Sequence, residues 1–307
     1  MTRQGRIHFH KTDNPYPLEM IQQGIEALEA LHRFPALTSW QVCKLLFLAR
    51  PNSQGAPRGE VAAKRAVNHY CLRRLKDRGL VKVKAIPRLD NPMAKWEMNY
   101  LTKSGHDLLV SYRQNLNLAT SPYRPVSLSY QTINNHSMTI IDAAVSALAY
   151  ASLSGLGVDV YLDHLTIRSM SKTHALDWPM EPDALLVFSY GPVRRAFFLE
   201  ADMGTESVDS TRANSWRTKM EKYRHYSSAL RQTDPLLHHL PQPDVMVITP
   251  SDRRPANLLE TTRMVGGRTS YWFTTQELIL PPYSFFGSVW QRIGLDGYYS
   301  PIERFSS

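Results

Sequence analysis

Pro182-Asp183-Ala-Leu-Leu-Val-Phe188 and, a few residues on, Ala196-Phe-Phe-Leu-Glu200-Ala-Asp202-Met-Gly204-Thr-Glu206 decide the fold of this chain. Two apolar runs rich in Val, Leu and Phe, separated by Ser189-Tyr-Gly-Pro192, read as adjacent buried strands joined by a hairpin turn. Successive side chains on a strand alternate faces. Glu200 and Asp202 therefore point the same way, about 6–7 Å apart along the chain. Asp183 joins them if the two strands pair. Three acids converging at one sheet end suit a divalent metal held through oxygen, the arrangement that metal-dependent phosphodiester cleavage uses.

The surrounding half of the chain alternates helix and strand. A helix is expected over 134–154 and a strand over Val158–Ile167. Strands at 184–189 and 195–202 are followed by a long helix at about 211–232, a strand at Val245–Thr249, a helix at about Pro255–Met264 and a strand at Tyr271–Thr274. That order gives a mixed α/β sheet with helices on its faces. Asp183 and Glu200, 17 residues apart, resemble the acid pair of the restriction-endonuclease-like, or PD-(D/E)xK, nucleases. Those enzymes place Glu-x-Lys on the second strand, and here Asp202 stands at the Lys position. Lys219 and Lys222, three apart on the following helix, are the candidates to supply the missing ammonium. Tyr223 and Tyr226 share that helix and read first as packing residues. His136 is a candidate cap for helix 134–154, and Asp142 a candidate further carboxylate. His238-His239 has no partner at ligand spacing and is assigned no metal.

The first half reads differently. Residues 1–16 form a polar arm, and Leu18–Arg33 carries Met20, Ile21, Ile25, Leu28 and Leu31 at helical spacing. Thr38 is an N-cap for a second helix, and Arg50–Gly59 is a loop. A third helix runs from about Glu60 to Arg78 and stops at Gly79. Two alternating strands, Leu80–Ile86 and Lys95–Leu101, flank a turn at Asp90-Asn-Pro92. Thr102 then caps a helix from Lys103 to about Asn115. Three helices, a two-stranded wing and a closing helix make a winged helix-turn-helix over residues 17–115. Its third helix would read DNA through Arg58, Lys64, Arg65, Asn68, His69, Arg73 and Arg74, with Lys76 and Arg78 adding charge. Lys82, Lys84 and Arg88 in the wing would meet phosphate. A solvated basic helix in a protein-binding winged helix is the alternative. Residues 116–130 form a linker and 131–307 the second domain, so the fold class is α+β with an α/β nuclease-like C-terminal part.

Charge follows the same division. Residues 1–125 hold 20 Lys and Arg against 9 Asp and Glu, +11; residues 126–307 hold 16 against 18, −2; the sum is the +9 of the whole chain. The asymmetry points to an anionic polymer bound by the first half. With 43% hydrophobic residues in 307, one large core or two ordinary ones can form. Cys43 and Cys71 supply neither a disulfide framework nor a zinc site and read as small core residues. No apolar run reaches the roughly 18 residues of a membrane span. No signal peptide is read at the start, and a reducing cytoplasm is the expected compartment.

The chain resembles the replication-relaxation family of plasmids and related mobile elements. The resemblance rests on Leu72-Arg-Arg-Leu-Lys-Asp-Arg-Gly-Leu80, Tyr100-Leu-Thr-Lys-Ser-Gly105, His136 with Asp142, Pro182-Asp183, Phe198-Leu-Glu200-Ala-Asp202-Met-Gly204-Thr-Glu206, and Lys222-Tyr223 with Tyr226. It runs from about residue 20 to 275. It implies a DNA-binding module joined to a nuclease-like fold, with a role in replication, mobilisation or DNA relaxation. It also implies that aspartate at position 202 is ordinary for the family.

The expected activity is metal-dependent nicking of double-stranded DNA. Asp183, Glu200 and Asp202 would hold Mg²⁺ or Mn²⁺, Lys219 or Lys222 would offset charge at phosphorus, and Glu206 would be accessory. Two other readings stand beside it. One is a non-catalytic DNA-binding regulator whose second domain dimerises or docks a partner. The other is a covalent relaxase using Tyr223 or Tyr226, which no His triad accompanies. A homodimer through residues 1–33, and replication or transfer proteins, are compatible partners.

Overall fold

A computed structural model describes residues 22–48, 60–88, 91, 93–120, 122–126, 128, 133–173, 176–204, 208, 215–226, 232–280 and 285–306. The arm at 1–16, the loop at Arg50–Gly59 with Arg58, and Glu206 lie outside the described residues. So do Asp90 and Pro92 of the expected turn. The chain divides into two compact units, one of residues 1–87 and 91–129, the other of 88–90 and 130–307.

In the first unit, helix α1 (Gln22–Arg33) buries Ile25, Leu28 and Leu31, the apolar face of an amphipathic pattern. Strand β1 (Leu37–Thr38) leads into α2 (Ser39–Cys43). Thr38 Oγ1 accepts from Gln41 N at 3.2 Å, while Gln41 Oε1 accepts from Thr38 N at 2.8 Å. This capping box satisfies two amides that the helix start leaves open. Helix α3 (Glu60–Arg65) continues through π-helical turns at Ala66–Leu72 into α4 (Arg73–Asp77). Gly79 takes φ +69 and its N donates to Lys76 O at 2.9 Å, with Leu80 N donating to Leu75 O. Only glycine adopts that left-handed stop at little cost.

Strands β2 (Val81–Pro87) and β3 (Lys95–Leu101) pair antiparallel, and β1 adds to β3, giving the order β1-β3-β2. Thr102 caps α5 (Lys103–Asn115) by accepting from Gly105 N at 3.1 Å. Gly105 is required there, because a Cβ would stand 2.2 Å from Leu80 O.

The second unit holds a six-stranded mixed sheet of order β4-β5-β6-β7-β8-β9. Helix α6 (Asn135–Ser154) precedes β4 (Gly157–Asp163), and α7 (His164–Lys172) follows it. Strands β5 (Ala184–Tyr190) and β6 (Val193–Ala201) form a hairpin turning at Gly191-Pro192, with Tyr190 opposite Val193. Helix α8 (Trp216–His225) lies between β6 and the parallel β7 (Asp244–Thr249). Helix α9 (Arg253–Met264) lies between β7 and the parallel β8 (Tyr271–Thr275). The short α10 (Gln276–Ile279), the two-residue β9 (Gln291–Arg292) and a 3₁₀ turn at Pro301–Phe305 complete it.

Alternation along the central strands fills both faces. Leu185, Val187, Phe198, Val245, Val247 and Phe273 pack with Trp216, Met220 and Tyr223 of α8 and Leu258 of α9. The opposite side chains include Phe188 and Phe197. They meet Phe285, Phe286 and Phe305 edge-on or tilted. Helix α6 touches β4, β5 and β6. Its fully buried Ala143, Ala144, Ala147 and Ala151 let backbone approach backbone closely.

Three boundaries differ from the sequence expectation. The strand expected to Ile167 ends at Asp163, whose Oδ1 accepts from Thr166 N at 2.8 Å and so starts a helix instead. His136 does not cap helix 134–154. Asn134 does, exchanging hydrogen bonds with Ser137 at 3.0 and 2.9 Å, and His136 sits inside the first turn. The helix expected over 211–232 is described as ten residues.

Candidate functional site

The end of the second unit's sheet where β5 begins and β6 ends gathers three acids, each with its own basic partner. Asp183, one residue before β5, is laid across β6. Its N donates to Leu199 O at 3.0 Å and its Oδ2 accepts from Ala201 N at 2.9 Å. His136 Nε2, from the first turn of α6, stands 3.1 Å from the same Oδ2. Glu200, the penultimate residue of β6, is 1% exposed. Lys219 Nζ lies 2.8 Å from its Oε2, and the Tyr223 hydroxyl donates to its Oε1. Both come from α8, one turn apart. Asp202, 2% exposed and just past the strand, accepts from Arg254 Nη2 at 3.0 Å on each oxygen and from Gly204 N at 2.7 Å.

Burial governs the electrostatics. It pushes the Glu200 carboxyl up to about 7, against the charge of Lys219 and with the like charge of Asp183 adding to it. Burial also acts to raise Asp183, but the hydrogen bond and charge of His136, the charge of Lys219 and the Ala201 amide hold it below the usual aspartate value. Burial acts to lower His136, and the Asp183 hydrogen bond and charge outweigh it, so its pKa rises. Burial and the Glu200 charge push the Tyr223 phenol well above its ordinary value.

The expected set of three acids around one ion is not assembled. Among the described residues, no three His, Cys, Asp or Glu groups stand close enough to hold a metal ion. Asp183 and Glu200 interact with each other, whereas Asp202 is taken by Arg254, a residue outside the motif pattern. Its signal was the Arg253-Arg254 pair opening a helix, where cations are unfavourable.

Lys219 reaches Glu200, while Lys222 is exposed on α8. The partner that Lys219 shares is Tyr223, not Lys222. Tyr226 is buried and donates to Asp234, which also accepts from Trp178 Nε1 at 2.5 Å, so it packs and pins a turn. Asp142 is half-buried on α6, six residues beyond His136.

In the first unit, Lys64, Arg65, Asn68, Arg73, Arg74 and Arg78 are exposed along the third helix, and Lys76 is half-buried. His69 falls in that helix, and its side chain lies outside the described residues. Lys64 Nζ sits 4.3 Å from the centre of the Trp40 ring, a cation–π contact that fixes its ammonium. Lys82 and Lys84 are exposed on β2, with Lys84 Nζ donating to Leu128 O at 2.6 Å; Arg88, which falls in the second unit, is half-buried.

Residues 28–236 match the family described as Replication-relaxation. No curated protein matches the chain. Among solved structures, "restriction endonuclease FokI bound to DNA" is 8% identical over 84% of this chain and 67% of that one, with a TM-score of 0.23. "Restriction endonuclease FokI" is 10% identical over 84% and 68%, with a TM-score of 0.22. TM-scores this low establish no shared fold.

Proposed function

The chain belongs to the replication-relaxation family, and on that premise we propose that it is a DNA-binding protein of a plasmid or other mobile element that nicks DNA in replication, mobilisation or relaxation. The observation that carries this reading is the Glu200–Lys219 ion pair beside Asp183. An acid pair and an ammonium at one end of the sheet are the parts that phosphodiester cleavage needs.

Asp183 and Glu200 are the residues that would hold Mg²⁺ or Mn²⁺. Their oxygens are hard donors, and the like-charge repulsion that helps raise Glu200 is what a divalent cation relieves. Such an ion, when bound, supplies an activated water and charge neutralisation at the leaving oxygen. The chain's own groups do the rest. His136 orients Asp183, Tyr223 fixes the Glu200 carboxylate, and Lys219 presents its ammonium to the phosphate. Asp202 takes no ligand role in this reading.

The first unit supports DNA binding. Its capped helices, Gly79 stop and antiparallel hairpin suit a winged helix. The exposed Lys64, Arg65, Asn68, Arg73 and Arg74 on one helix, and Lys82 and Lys84 on the wing, suit phosphate and base contacts. Among the described residues, no helix is long and apolar enough to cross a membrane, and the cytoplasm is the proposed compartment.

A second reading has its own support. Each acid at this end of the sheet already has a basic partner, as in a scaffold that binds DNA without cutting it. Conversion of supercoiled plasmid to open circles with Mg²⁺ or Mn²⁺, absent in EDTA, separates the two. Binding without conversion favours the regulator.

A further inference from the structure

We propose that Arg254 is a phosphate-contacting residue of this same site, held in place by Asp202. The inference rests on the nicking reading for its substrate, a DNA strand, and on the following geometry for its residues. Asp202 accepts from Arg254 Nε at 3.2 Å and from Nη2 at 3.0 Å on both oxygens, while Gly204 N donates to it at 2.7 Å. Its own N donates to Ile248 O at 2.9 Å, fixing it to the end of β7. A carboxylate this buried is stable only with a well-oriented partner, so the guanidinium is set by the fold rather than by solvent.

The position of Arg254 runs against local preference. Arg253 and Arg254 fill the first turn of α9, which has no acid there and no side-chain cap from Asp252. The helix dipole disfavours cations at that end. Asp202 offsets part of that cost, and a bound phosphate would add to the offset. The Arg254 side chain is 17% exposed, so an anion can reach it from solvent.

Asp202 follows Glu200 by two residues, just past the end of β6. Lys219 on Glu200 and Arg254 on Asp202 are thus both anchored where β6 ends. The ammonium serves the phosphate being cut. The guanidinium, whose planar fork matches phosphate oxygens, grips its neighbour and sets the register of the strand. Aspartate at position 202 is then a positioning residue for that grip, which is why an acid serves where related patterns carry lysine.

The test is calorimetric titration of the full chain with thymidine 3′,5′-bisphosphate in Mg²⁺ buffer, alongside plasmid nicking at varied DNA concentration. Arg254→Lys keeps the charge that pairs Asp202 and lets the protein fold, but loses the fork. It should bind the bisphosphate about tenfold more weakly and raise KM with kcat little changed. Asp202→Asn, which frees the guanidinium from its anchor, should weaken binding to a lesser degree. A doubly altered Asp202→Asn, Arg254→Gln protein, with no buried charge left there, should match or exceed the Arg254→Lys loss. Equal affinity in wild type, Arg254→Lys and the double variant overturns the inference, as does no bisphosphate binding by the wild type. Wild-type binding that Arg254→Lys weakens, with plasmid left intact by every protein, upholds Arg254 and sinks the nicking reading instead. Nicking with KM unchanged in Arg254→Lys does the reverse.

Discussion

Lys219 Nζ stands 2.8 Å from Glu200 Oε2, so an ammonium from helix α8 meets the acid at the end of β6. The strand's own third motif position is occupied by Asp202, two residues on. The charge that assists phosphate chemistry is defined by where the ammonium sits, and a helix packed on the strand delivers it as well as the strand itself. Replacing Lys219 with Met should therefore reduce nicking by at least about a hundredfold, the scale of losing one transition-state charge partner. Lys219→Arg should recover part of the rate. The same Met variant leaves Glu200 buried without its cation, which costs up to about 3 kcal/mol in the ionised form. Urea unfolding at about pH 8 measures the second effect. A variant with full nicking rate would remove Lys219 from the site.

The pH response has a sign set by Glu200. Folding raises its pKa from the ordinary carboxylate value to about 7. Between those values the folded protein holds a proton that the unfolded chain has lost. That contribution is present at low pH and is lost as pH rises through about 7. Asp183, held low, acts oppositely, and its contribution is lost as pH falls below the ordinary aspartate value. In EDTA, the melting temperature should fall from about pH 5 to about pH 8 more steeply for wild type than for Glu200→Gln. Identical slopes in the two proteins would show that Glu200 titrates normally.

DNA binding should follow the basic helix of the first unit. Arg65 and Arg74 are both exposed there. Replacing either with Ala should weaken binding to any duplex and reduce the salt slope of log K by about 1 each, because each phosphate contact releases condensed counterions. Fluorescence anisotropy over a salt series reads the slope. Unchanged slopes would place the DNA surface elsewhere.

Much of this was legible in the sequence because it is local. Thr38 and Thr102 announce helix starts, Gly79 announces a stop, and the Val-, Leu- and Phe-rich runs announce the hairpin that carries Asp183 and Glu200. The strand expected to continue to Ile167 ends at Asp163, and periodicity does not reveal this because apolar residues run through the boundary. Asp163, the cap of the following helix, lies inside that apolar stretch. The choice between Lys219 and Lys222 turns on the inward stripe of α8, Trp216, Met220 and Tyr223. Lys219 lies about 60° from that stripe and Lys222 about 120°, so only the first can lean over the sheet. Arg254 was not legible at all as the partner of Asp202. The two are 52 residues apart, and only the parallel pairing of β6, β7 and β8 brings α9 to the end of β6.

The most direct measurement is nicking of supercoiled plasmid by wild type and by Glu200→Gln, in Mn²⁺ and in EDTA, with duplex binding measured on both proteins. Glutamine keeps the size of the side chain and removes its charge. The account predicts open circles from the wild type only in Mn²⁺, none from Glu200→Gln, and equal DNA binding by the two. Nicking by Glu200→Gln at the wild-type rate, or intact plasmid with wild type in every condition, would contradict it.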